Sequence, residues 1–238
     1  MTFGLLLLLI GLAALAWTVG RSTDTRTETF SGLIDRLVIE VNGRVTITAD
    51  ESAEVTVERE WLLTGAPAVD LTQDGGTLRV SADCGFMRWW CQTHVTATAP
   101  ASAEVVVITV AGDVVVTGFE SGVDLTTSAG NVVVDDIAGS ASLRSSAGRI
   151  EGTVTDGNVD ATTSAGRIEL TVLGAFNRIS AVTSAGAVVL TVPDDVYRVD
   201  ADTSAGDIRT KVATDPDAAR EIVARSSAGN ITIDRASE

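Results

Sequence analysis

Six serines of this 238-residue chain share one local setting, Ser-Ala-Gly, at Ser128, Ser146, Ser164, Ser184, Ser204 and Ser227. A serine becomes a nucleophile when a base lies within hydrogen-bond reach and a third group orients that base. The one histidine, His94, lies outside the run, in a strand-like stretch where a structural role is expected. Acid–base work on a glycoside would need two carboxylates facing each other across the scissile bond. The acids here follow the repeat instead: Asp124, Asp160 and Asp200 alternate with Ser142 and Ser180, while Glu151 and Glu169 stand beside Arg149 and Arg167. Such spacing gives a solvated, charge-paired face. Cys84 and Cys91, the only cysteines, enclose Gly-Phe-Met-Arg-Trp-Trp. In an exported protein they are expected to form a disulfide, presenting Phe86, Trp89 and Trp90 as a contact surface. Two thiols and one histidine do not make a four-ligand zinc set, and the Cys-x-x-Cys redox spacing is absent. No Gly-x-Ser-x-Gly elbow, phosphate loop or Gly-rich calcium nonapeptide occurs, so neither an enzyme nor a cofactor is expected.

The elements that carry the serines are short. Successive serines are 18, 18, 20, 20 and 23 residues apart, and Val110-Ala111-Gly112 lies another 18 upstream. Five and three places before each serine the residue is apolar, from Val123 and Leu125 to Ile222 and Ala224. That is the period of a strand with one buried face. After each glycine the apolar set resumes in the opposite phase, as at Val132 and Val134 or Ile168 and Leu170. A continuous strand cannot change phase without turning its buried set outward, so Ser-Ala-Gly must be a corner. Gly112, Gly130, Gly148, Gly166, Gly186, Gly206 and Gly229 are therefore corner residues, and the serines are not nucleophiles. Stacked units would bury a continuous aliphatic column. The expected fold is all-β: a right-handed parallel β-solenoid of about seven to eight short coils, with an N-terminal hydrophobic helix. An antiparallel array with Ser-Ala-Gly at hairpin tips is the alternative. Extra residues around 174–177, 193–197 and 214–220 should bulge from one corner.

The chain is 45% hydrophobic but only 4% aromatic, and carries a formal charge of −15. Valine, isoleucine, leucine and alanine suffice for a methyl-rich core, and the charge disfavours nucleic acid as a partner. Residues 1–20 carry no charge and suffice for a membrane-spanning helix. They are expected to form an anchor that leaves the β domain outside the cytoplasm; a signal ending near Ala14-Leu15-Ala16, whose cleavage would release the domain, and a buried helix are the alternatives. Residues 21–29 then form a linker, 30–100 an irregular β cap containing the cysteine loop, and 101–236 the regular repeats. The last repeat, through Ile231 and Ile233, ends almost at the C-terminus and is expected to leave an open strand edge suited to self-association.

An apolar N-terminal segment, Phe30-Ser31-Gly32, a cysteine pair ahead of Pro100 and the serial Ser-Ala-Gly units together resemble the bacterial putative-adhesin β-strand-repeat family, a domain of unknown function in cell-envelope proteins. The resemblance covers residues 28–236. It implies an envelope-exposed β-solenoid and carries no catalytic residues. The expected function is that of a non-enzymatic, membrane-anchored, adhesin-like module contacting an envelope protein or polysaccharide. Envelope-stress sensing and a carbohydrate-active enzyme are the alternatives.

Overall fold

The computed structural model describes residues 21–62, 67–83 and 91–236. Twenty-two strands occur among them: β1 (Arg21–Phe30), β2 (Arg36–Val41), β3 (Val45–Ala49), β4 (Ala53–Leu62), β5 (Ala68–Asp74), β6 (Thr77–Asp83) and β7 (Cys91–Ala99). The chain continues through β8 (Glu104–Ala111), β9 (Val114–Thr117), β10 (Val123–Ala129), β11 (Val132–Ile137), β12 (Ala141–Ala147), β13 (Ile150–Val154), β14 (Val159–Ala165) and β15 (Ile168–Val172). It ends with β16 (Arg178–Ala185), β17 (Val188–Val192), β18 (Val196–Ala205), β19 (Ile208–Thr210), β20 (Ala213–Thr214), β21 (Glu221–Ala228) and β22 (Ile231–Arg235).

The strands form two eleven-stranded sheets around one core. The first runs β1-β4-β7-β3-β9-β11-β13-β15-β17-β22-β19, and the second β20-β18-β21-β16-β14-β12-β10-β8-β2-β6-β5. From β8 to β17 each strand pairs in parallel with its equivalent one repeat away, Val123 with Ala141 and Ile150 with Ile168, for example. Inward positions of one repeat compensate in size. Leu143 is followed by Gly152, whereas Ala161 is followed by Leu170, so a large residue on one sheet faces a small one on the other in both repeats.

The expected right-handed parallel solenoid of seven to eight successive coils is corrected on three points. First, both sheets are mixed: β1, β4 and β7 are antiparallel neighbours, and so are β5 and β6. The Asp74-Gly75-Gly76-Thr77 turn is too short for a parallel crossover and allows only a hairpin. Second, chain order and spatial order part at the far end. β21 lies between β16 and β18, and β22 between β17 and β19. Third, no helix occurs among the described residues. The expected N-terminal helix falls in residues 1–20, outside them. Residues 21–29, expected as a linker, belong to β1, which makes ten register pairs with β4. The C-terminal strand is not an open edge either: β22 is paired on both sides, and the edges at that end are β19 and β20. Two strands with identical inward patterns can exchange places without loss of burial, which is why the reversal does not disturb the core.

Candidate functional site

The Ser-Ala-Gly corners stack into one column. A Cβ on Gly130 would lie 2.1 Å from the Gly112 carbonyl oxygen, one on Gly148 1.8 Å from that of Gly130, and one on Gly166 1.9 Å from that of Gly148. The column begins at Gly43, passes through Gly112, Gly130, Gly148, Gly166 and Gly186, and finishes Gly229 then Gly206. Only glycine permits this approach of successive backbones. The residue before each serine turns inward and donates its hydroxyl to a glycine carbonyl of the neighbouring repeat: Thr127 to Gly112 at 3.1 Å, Ser145 to Gly130 at 3.0 Å, Thr163 to Gly148 at 3.1 Å and Thr183 to Gly166 at 3.1 Å. The six serines themselves face solvent. His94 lies near the start of the column, where its Nδ1 accepts the Arg44 backbone N–H at 3.2 Å. Among the described residues no group of three or more His, Cys, Asp or Glu side chains converges as a metal site would require.

The outward acids are divided among arginines. Arg144 lies 3.2 Å from Asp124 and 3.6 Å from Asp160, and Arg167 lies 2.8 Å from Glu169. These groups are about half exposed, so each pair contributes at most about 1 kcal/mol.

On the outer face of the first sheet, Thr27, Thr56, Thr96 and Thr46 form one rank across β1, β4, β7 and β3. A second rank runs Thr98, Thr48, Thr117. Attention to positions near Ser-Ala-Gly misses this face; its signal in the sequence is Thr-x-Thr at 27/29, 46/48 and 96/98.

The late insertions converge. Phe176 and Tyr197, both buried, stack with ring centroids 5.4 Å apart and planes 7° from parallel. Arg220 covers Phe176 at 6.0 Å and reaches Asp195 at 2.7 Å, so all three insertions contribute to a single clasp. The Tyr197 hydroxyl donates to the Pro193 carbonyl at 2.8 Å. Burial pushes this phenol above its ordinary pKa, a rise partly opposed by Arg220. The spacing shows the insertions but not their meeting; the only tyrosine of the chain, placed in one of them, was the available signal.

Cys84, Phe86, Trp89 and Trp90 lie outside the described residues. Among the described residues, Cys91 pairs with Trp61, and the neighbouring Leu62 pairs with Arg21. The start of β1, the end of β4 and the start of β7 therefore lie side by side.

Repeated backbone-directed chemistry in the corners, with variable chemistry on two outer faces and in the insertions, defines an all-β strand-repeat protein. In that fold it is similar to a putative adhesin from Bacteroides fragilis NCTC 9343, with a TM-score of 0.55 and 15% identity over 90% of this chain and 97% of that one. A putative adhesin from Parabacteroides distasonis ATCC 8503 aligns with 13% identity over 89% of this chain and 97% of its own, with a TM-score of 0.47. A putative lipid binding protein from the same organism aligns with 17% identity over 91% and 97%, with a TM-score of 0.43. No family model and no curated protein matches the chain.

Proposed function

We propose that this chain is a non-enzymatic, adhesin-like interaction module, anchored in the cell membrane by residues 1–20 with its β domain outside the cytoplasm. The observation that carries the reading is the extent of its exposed ladder faces: eleven strands in each sheet, stacked about 4.8 Å apart, offer polar faces along which a partner can lie. The fold shared with the Bacteroides fragilis protein supports it. So does the position of β1, which begins at Arg21 and forms one edge of the first sheet, with β19 at the opposite edge. The partner is an envelope protein or polysaccharide, met by the threonine ranks of the first sheet or by Phe86, Trp89 and Trp90.

The test is capture from envelope fractions by the full chain, comparing wild type with Trp89→Ala/Trp90→Ala and with Thr46→Lys/Thr96→Lys. Loss of a captured component in one variant locates the surface. Equal capture by all three contradicts both surfaces. Protease protection of the β domain on intact cells would contradict its placement outside.

A further inference from the structure

The reversal of strand order leaves a slot. After β17 the chain skips one position in both sheets and lays β18 and β19 two strand spacings from β16 and β17, roughly 9.6 Å away. Only then does it return through residues 215–220 and fill the gap with β21 and β22. We propose that residues 221–235 are an exchangeable insert, and that two copies of this chain form a dimer in which each places this segment in the other's slot.

The walls of the slot belong to residues 178–214, and the insert is held by them without help from its covalent connection. Ile222 is in register with Ile179 on one side and Val199 on the other, and Ala224 with Ala181 and Ala201. Ile231 is likewise placed between Val188 and Ile208. Its four charged residues all find partners on the walls. Glu221 pairs with Arg178 and Arg198, Arg225 with Asp200, Asp234 with Lys211, and Arg235 with Asp194. This charge pattern fixes segment, register and direction, and a second copy presents the same walls.

The connection is the one part that differs between the closed and exchanged forms. Asp215, Pro216 and Asp217 are exposed, and the run is tied by the Arg220 clasp on Phe176 and Asp195 and, at its two ends, by the Asp215 N–H to the Tyr197 carbonyl and the Arg198 N–H to the Arg220 carbonyl. Six residues, extended, span roughly 20 Å. That is enough to reach a neighbouring slot about a two-fold axis, giving a closed, isologous dimer.

The experiment uses the full chain carrying Ala205→Cys and Ala228→Cys, which are register partners on β18 and β21. Isotopically heavy and light preparations are mixed at high concentration in mild denaturant, returned to buffer and oxidised, and the linked peptides are identified by mass spectrometry. The expected result is a dimer fraction in which the 205–228 link joins heavy to light chains, rising several-fold with Arg220→Ala, which frees the connection from Phe176 and Asp195. Only heavy–heavy and light–light 205–228 links, whatever dimer is present, would overturn the proposal.

Discussion

The hydroxyl of Ser226 donates to the Gly186 carbonyl oxygen at 3.0 Å although forty residues separate them. Thr203, which follows Gly186 much sooner, donates instead to Gly229 at 2.9 Å. The final repeat of the chain thus occupies the penultimate place in space. Its side chains are interior ones, and the repeat before it takes the exposed end.

The glycine column sets the first prediction. Gly148→Ala would force a Cβ to 1.8 Å from the Gly130 oxygen, whereas Gly122→Ala meets nothing nearer than 3.4 Å. Urea unfolding should show a loss of about 3 kcal/mol for the first and under about 0.5 kcal/mol for the second. Equal midpoints would mean that the corners do not stack as described.

Removing one inward hydroxyl isolates the hydrogen bond from the packing. Thr163→Val keeps the shape of a buried side chain but loses the bond to Gly148, and should cost about 1 kcal/mol in the same measurement. Thr162→Val, on the exposed side of β14, should be nearly neutral.

Strand order is tested by two isoleucines. Ile222 is fully buried, whereas Ile208 is 43% exposed. Ile222→Ala should cost about 3 kcal/mol and Ile208→Ala less than about 1 kcal/mol. A chain stacked in sequence order would give the opposite ranking.

Strands, corners and inward residues were legible because each phase change across Ser-Ala-Gly is a local fact: Leu125 and Val132 cannot both face inward along one straight strand. The place of the last repeat was not. Val199/Ala201 and Ile222/Ala224 present inward pairs that differ by a single methylene, and ladder hydrogen bonds are made by backbone that does not distinguish them. What separates the two arrangements is long-range charge, Glu221 with Arg178 and Arg235 with Asp194, visible only once the strands are placed. The antiparallel β1 escaped notice for a related reason. Its sequence, RSTDTRTETF, has no apolar alternation, because one face meets solvent and little of the other meets the core.

Alkaline pH should reveal the insertion clasp. Burial raises the Tyr197 pKa, so between the unfolded and folded values the native state holds the proton more tightly. The resulting stability is complete below the unfolded pKa, about 10, and is lost as pH rises through the folded value. Unfolding midpoints should fall more steeply above pH 10 in wild type than in Tyr197→Phe. Parallel curves would remove Tyr197 from the account.

Native-state hydrogen exchange bears most directly on the reversed order, since protection follows pairing on both sides rather than distance from the chain end. Amides of β21 and β22, residues 221–235, should exchange more slowly than those of β18 and β19, residues 198–210, despite lying nearer the C-terminus. Faster exchange across 221–235 than across 198–210 would contradict it.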